Sequence, residues 1–268
     1  MALRAMYSAA TGMRVNEFNL DTIANNLANA GTTAYKKTRT NFEDLYYQYI
    51  KPPGGVDVNS QPAPIGIGTG LGARVSGTQL DFNQGNLLET GRQLDVAISG
   101  NGFFQIQDTN TGGLLYGRAG NFTINSQNQL ILASADQGRL LSPGITIPQG
   151  ATNVAISGTG EVSANTPPST LVQQIGTLQL ATFINPEGLL QIGENLYAET
   201  TASGTALQAN PGQNGAGLLR QGFLEASNVE PVRELVDLIR TQRNFEMNSQ
   251  VVQASDQLLQ LVANLRRF

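Results

Sequence analysis

The segment Leu3–Gly31, LRAMYSAATGMRVNEFNLDTIANNLANAG, decides how the rest of the chain is read. Alternating steps of three and four residues from Leu3 fall on Met6, Ala10, Met13, Glu17, Leu20, Ala24 and Leu27, apolar at every step but Glu17. That spacing predicts a helix with the narrow stripe of a coiled-coil-like seam, about 39 Å long at 1.5 Å per residue. Asn29-Ala30-Gly31 then stops it, because Asn and Gly enter the left-handed conformation that closes a helix. The cluster Asn25-Asn26-Leu27-Ala28-Asn29 at this end is expected to cap the helix or to bond to an adjacent subunit.

A second helical pattern occupies the other end. Ser227-Asn228 offers a cap, and Pro231 falls in the first turn, where a missing N–H leaves no helical bond unmade. Leu238, Phe245, Val252 and Leu259 recur every seven residues, while Met247, Val251, Ala254, Leu258, Leu261 and Leu265 make a second stripe. One stripe serves one partner helix; two imply burial among several neighbours. Glu230 and Glu234 near the start, with Arg266 and Arg267 at the end, suit the helix dipole. The plain alternative is two core helices of a compact domain.

Between the helices the pattern changes. Residues 46–72 hold Tyr46, Tyr47 and Tyr49, then Lys51-Pro52-Pro53-Gly54-Gly55, Gln61-Pro62-Ala63-Pro64 and a glycine-spaced run, all of which predict extended or polyproline-like backbone. From about Ser76 to Gly222 short β-type runs alternate with turn signals, and a hairpin is expected for Thr177–Ile184 and Leu189–Tyr197 about Asn185-Pro186-Glu187-Gly188. The expected fold class is α+β. Residues 1–45 and 223–268 would form a helical assembly domain with paired helices, 46–75 an extended segment, and 76–222 a mainly β domain.

Composition narrows the chemistry. Charged residues are 13% of the 268 residues, against about 25% in typical soluble domains, and the net charge is −4. Lys36, Lys37 and Lys51 are the only lysines and form no basic face, so a nucleic-acid partner is not expected. The chain has no His and no Cys, which removes the commonest general base and metal ligand, every disulfide and every thiolate site. No cofactor or metal is expected. No apolar run reaches the length of a membrane span, and Arg14, Asn16 and Glu17 interrupt the N-terminal apolar stretch too early for a signal peptide, so neither membrane insertion nor cleavage is expected. Gly68-Thr69-Gly70-Leu71-Gly72-Ala73 has the letters of a dinucleotide fingerprint but not the strand before it or the helix after it. Glu187, Glu194 and Glu199 are candidate glycosidase carboxylates only in number, and solvated surface positions are the expectation.

Several strings resemble bacterial flagellar rod and hook proteins: Ser8-Ala9-Ala10-Thr11-Gly12-Met13, Ile23-Ala24-Asn25-Asn26-Leu27-Ala28-Asn29 and Thr32-Thr33-Ala34-Tyr35-Lys36 near the N-terminus. Near the C-terminus the match continues through Gly222-Phe223-Leu224-Glu225-Ala226-Ser227-Asn228-Val229, then Thr241-Gln242-Arg243-Asn244-Phe245-Glu246, then Ser255-Asp256-Gln257-Leu258-Leu259. Asp95–Phe104 and Gly193–Tyr197 extend it through the middle. Ala34 departs from the family's usual Gly before the aromatic residue. Length favours the distal-rod members, since proximal-rod proteins are shorter and hook proteins carry an added domain; a proximal-rod paralogue of similar length and a hook-type axial protein are the alternatives.

The resemblance implies a non-enzymatic structural subunit that is exported unfolded without signal cleavage and polymerises into a helical tube. Such a tube would cross the periplasm in the basal body, enclose the export channel and transmit torque from motor to hook. Its implied partners are other copies, proximal-rod proteins, the hook protein, a rod cap and the bushing rings of the envelope. Tyr46, Tyr47, Tyr49, Pro52 and Pro53 would stiffen the polymer. A secreted β-rich adhesin or carbohydrate-binding module and a periplasmic hydrolase are the readings from other classes.

Overall fold

A computed structural model describes residues 2–54, 64–108, 112–134, 138–151, 153–166 and 172–265; the expectations for Gly55, Gln61, Pro62, Ala63, Arg266 and Arg267 lie outside these. The architecture is α+β: one helix near each end of the chain and a mostly β middle. The chain divides into two compact units, the first made of Met1–Ala28, Thr38–Leu80 and Glu230–Phe268, the second of Asn29–Lys37 and Asp81–Val229.

In the first unit α1 (Ala2–Ala28) and α2 (Pro231–Leu265) run antiparallel. The Asn19 amide donates to the Thr241 hydroxyl at 3.0 Å, and seven residues on the Asn26 amide donates to Glu234, seven residues back, at 3.4 Å. The residues of α1 most withdrawn from solvent are Ala9, Ile23 and Asn26. The protected face therefore lies one residue round from the stripe that begins at Leu3. Ala and Asn carry this face, and a search for apolar periodicity passes over them.

Four strands complete the unit: β1 (Thr38–Asp44), β2 (Tyr47–Lys51), β3 (Ile67–Gly70) and β4 (Ala73–Leu80). β1 pairs with β4 and β2 with β3, both antiparallel, and Leu45 N–H donates to Gly72 O between the two pairs, so they make one long ribbon. Residues 47–51 and 67–70 are thus extended but hydrogen-bonded as strands, not polyproline. β1 lies on α1 through the buried Thr40, whose hydroxyl donates to Thr22 at 3.0 Å.

The helix start differs from expectation. α2 opens with Pro231, and its first turn bonds Glu234 N–H to Glu230 O at 3.1 Å. Asn228 does not cap it. Its side chain accepts from Lys37 N–H at 2.8 Å and donates to Asp81 O and Asn83 O at 2.7 and 3.2 Å, while Ser227 Oγ accepts from Val229 N–H. Both residues satisfy loop backbone of the second unit.

The second unit centres on a seven-stranded antiparallel sheet. Its strands run in the order Leu190–Gly193, Leu196–Ala198, Leu114–Gly117, Phe103–Gln107, Leu180–Thr182 and Leu207–Ala209, with Leu141–Ser142 also paired to Phe103–Gln107. Asn153–Ile156, Glu161–Asn165 and Val172–Thr177 form a separate meander. Val96, Ile98, Phe104, Ile106, Phe122, Leu130, Val162 and Leu180 are the centre of the core, with Phe104 and Phe122 edge to face at 5.1 Å.

The hairpin expected about residues 185–188 does not form. Pro186–Gly188 is a single 3-10 turn, and Leu180–Thr182 pairs instead with Leu207–Ala209 and Phe103–Gln107. The true hairpin is tighter: Leu190–Gly193 returns as Leu196–Ala198 through Glu194 and Asn195, both at positive φ. Two left-handed residues in a row match the twist of a two-residue hairpin, and Asn tolerates that conformation well.

Candidate assembly surface

The two faces of α2 are unlike. Leu238, Val252 and Leu259 are half-buried, Thr241 and Ser255 are buried, and Phe245 is 37% exposed. On the other face Met247, Val251, Leu258 and Leu261 are exposed, Leu258 at 57% and Leu261 at 60%, beside the exposed Ala254. Gln242 and Arg243 are exposed as well, and Leu265 is the last helical residue. On α1, Leu3, Ala10 and Ala24 face solvent while Met6, Met13, Leu20 and Leu27 are half-buried. Tyr7 and Phe18, also exposed, flank a groove of about 430 Å³ that Leu45 and Val75 line from the ribbon. Contiguous exposed apolar rows of this kind are uncommon on folded chains. Each leucine removed from water there would add about 1.5–3 kcal/mol.

The asparagine cluster is split by the structure. Asn25 and Ala28 are exposed, whereas Asn26 is 3% exposed and bonds to the start of β1: Nδ2 donates to Thr38 O and Oδ1 accepts from Thr38 N–H. One amide thus meets a backbone donor and acceptor as a neighbouring strand would. Asn29 belongs to the second unit, where its carbonyl and Oδ1 accept from the backbone and hydroxyl of Thr32.

The outer ribbon explains the glycine run. Tyr47 pairs across the strands with Gly70 and Tyr49 with Gly68. A Cβ on Gly68 would stand 2.8 Å from the Tyr49 ring, and one on Gly66 would stand 2.6 Å from Pro53. Each ring lies over a glycine, filling space that no side chain occupies. Gly68–Ala73 is therefore strand and turn, and no helix begins there to hold a nucleotide. Tyr46 is 89% exposed, and Tyr47, Tyr49, Pro52 and Pro53 are exposed too. A two-stranded ribbon exposed on both faces is marginally stable alone.

No local pattern in the sequence links Lys36, Glu225 and Arg118. All three are buried together in the second unit. Lys36 Nζ lies 2.7 Å from Glu225 and donates to Asn83 O at 2.6 Å, while Arg118 Nε donates to the other Glu225 oxygen at 2.8 Å. Arg118 also donates to Gly102 O and Gly100 O. Burial lowers the Lys36 pKa and Arg118 lowers it further, against the pull of Glu225. Burial would raise the Glu225 carboxyl, but Arg118 and Lys36 outweigh it and hold it below the ordinary value. The signal available in sequence was a lone charge inside an apolar run, as in Phe223-Leu224-Glu225-Ala226.

Two of the three candidate glycosidase carboxylates serve structure, and Glu187 is exposed in the 3-10 turn. Glu194 pairs with Arg139 at 3.2 Å, and Glu199 accepts from Tyr116 and from Ala206 N–H. Among the described residues no cluster of three or more metal-ligating side chains occurs, and no helix is long and apolar enough to cross a membrane.

Three family models match the chain: "Flagella basal body rod protein" over residues 6–36, "Flagellar hook protein FlgE/F/G D1 domain" over 97–164 and "Flagellar basal body rod FlgEFG protein C-terminal" over 220–265. The flagellar basal-body rod protein FlgG of Caulobacter vibrioides is 41% identical over 98% of this chain and 100% of its own length. The chain belongs to the flagellar basal-body rod family. The FlgG of Bacillus subtilis is 38% identical over 99% of this chain and 100% of its own length. From the same organism, the flagellar hook-basal body complex protein FlhP is 29% identical over 98% and 100%. As a flagellar rod protein the chain is a structural subunit and not an enzyme.

Proposed function

We propose that this chain is a subunit of the distal rod and polymerises into a helical tube through the outward faces of α1 and α2, whose pairing is a coiled-coil-like stalk. The supporting observation is the row Met247, Val251, Leu258 and Leu261, apolar and exposed along the last third of α2. The greater identity to the Bacillus subtilis FlgG than to its FlhP favours the distal-rod reading over a paralogue. The tube crosses the periplasm, encloses the export channel and carries torque from motor to hook. It meets proximal-rod proteins at one end, the hook protein and a rod cap at the other, and the envelope's bushing rings around its side. The exposed tyrosine ribbon stiffens it by docking on neighbouring copies: Tyr and Pro lose few rotatable bonds on docking, so contact there is efficient. Electron microscopy of the concentrated chain tests the reading. Tubes are expected, and a chain that stays monomeric while folded at every concentration would overturn it.

A further inference from the structure

The second unit has an aromatic face that its core does not use. Phe104 belongs to the core, whereas Phe103 next to it packs edge to face on Phe82 at 5.4 Å and on Phe183 at 5.7 Å. These rings wall a pocket of about 410 Å³ that Leu207 and Ile184 also line, the latter 84% exposed. Arg118 lines it too, although the residue is only 3% exposed. Apolar walls around one placed charge are the usual make-up of a binding pocket.

The charge there is not balanced. Lys36 and Arg118 share the single carboxylate of Glu225, and the neighbouring Asp81 is paired with Lys37 at 3.7 Å, so the enclosed cluster keeps an excess positive charge. Arg118 spends Nε on Glu225 and its terminal nitrogens on Gly102 O and Gly100 O, one bond each. A guanidinium has five N–H groups, so two of them have no partner among the described residues. Such donors suit a carboxylate, and a second anion brought to Arg118 would offset a buried charge that is otherwise costly.

The same unit carries carboxylates to spare. Glu89 and Glu161 are both exposed and make no ion pair among the described residues. Glu161 lies between Gly160 and the buried Val162, whereas Glu89 follows the exposed Leu88 and so offers an anion on an apolar body. We propose that the aromatic pocket receives Glu89 of a second copy, its carboxylate on Arg118 and its Leu88 against the apolar mouth. Donor and pocket are different patches of one surface, so the contact is head to tail and extends into a ring or an open helix. The occupant rests on the assembly proposed above; the pocket's preference for an anion does not.

The full chain in solution tests the pocket, with 4-methylpentanoate as the probe and ligand-detected nuclear magnetic resonance as the readout. The probe is expected to bind at least about tenfold tighter than the neutral 4-methylpentanamide, because hydrogen bonds to an ionised partner are the stronger kind. Ile184→Glu sets a carboxylate at the mouth and is expected to abolish that preference, whereas Ile184→Gln keeps it; the position is exposed, so both variants fold. Equal binding of the two probes, binding of neither, or identical behaviour of the two variants would each overturn the site.

The chain has no cysteine, so the occupant is tested by assembling Glu89→Cys chains together with Leu207→Cys chains and oxidising with copper phenanthroline. A disulfide between positions 89 and 207 of different chains is expected, and none when Glu161→Cys replaces Glu89→Cys. Tubes without the first cross-link, or with both alike, would overturn Glu89 as the occupant and leave the assembly reading standing. Failure to build tubes would instead count against that reading and the second-copy occupant together, while probe binding still decides the pocket.

Discussion

Asn26 and Thr38 exchange two hydrogen bonds of 2.9 Å each, so a side chain at the end of α1 behaves toward β1 as strand backbone would. The same amide also reaches Glu234 on α2, and the residue is buried.

Asn26→Asp keeps the acceptor and loses the donor, and it brings a carboxylate beside Glu234. We expect the first unit to lose about 1–3 kcal/mol, the usual result of leaving a buried polar group unmatched. Thermal unfolding followed by the helical circular dichroism signal measures this. A transition identical to the parent's would mean that solvent replaces the bond to Thr38.

Glu225→Gln leaves Lys36 and Arg118 buried without their carboxylate. A loss of about 3–5 kcal/mol in the second unit is expected, as for other buried pairs broken on one side. Lys36→Met should be milder, because Arg118 still faces Glu225 at 2.8 Å. Chemical denaturation with a probe in the β unit separates the two variants, and equal losses would contradict the ordering.

Acid should act through the same cluster. The folded Glu225 pKa is depressed, so its contribution is complete above the ordinary carboxylate value of 4.5 and is lost as pH falls through the lower folded value. Lys36 is also depressed, below 10.5, so between its folded value and 10.5 stability rises with pH. Both effects have the same sign. The second unit is expected to weaken as pH falls below 4.5, and Glu225→Gln should flatten that dependence; an unchanged acid slope in the variant would place the sensitivity elsewhere.

Leu258→Asp and Leu259→Asp are adjacent in sequence and differ in consequence. Leu258 is exposed, so its variant should fold within about 0.5 kcal/mol of the parent yet fail to form tubes. Leu259 is half-buried, so its variant should also destabilise the helix pair by about 1–3 kcal/mol. Unfolding curves and electron micrographs of both variants supply the comparison, and normal tubes from Leu258→Asp would remove the outer row from the interface.

Gly68→Val drives a side chain into the Tyr49 ring, which leaves no room for it. Hydrogen exchange at Tyr47–Lys51 should quicken, and tubes made from the variant should bend more readily. Persistence length in micrographs reads the second effect, and an unaltered value would make the ribbon a spacer and not a stiffener.

Both helices were legible in the sequence because a helical period persists over many residues, with Asn29-Ala30-Gly31 stopping the first and Pro231 opening the second. The face of α1 was not, since Ala9, Gly12, Asn19 and Asn26 are small or polar and apolar counting selects the ridge beside them. The β character of the middle was visible in alternating runs, but the pairing of Leu180–Thr182 with Leu207–Ala209 is set by packing across the sheet. Glycine spacing suggested extended backbone but not the rings of the opposite strand that cover it. The charge cluster joins positions too far apart for any local pattern to link.

That separation has a consequence in time. Lys36 and Glu225 stand 189 residues apart. During synthesis at about 5–20 residues per second the lysine exists for roughly 10–40 s before its carboxylate does. Through that interval the β unit lacks the anion that allows Lys36 and Arg118 to be enclosed, and enclosing them early would strand two cations. The nascent β unit therefore has reason to stay open until Glu225 has been made, which makes arrival of the carboxylate the event that permits this unit to close.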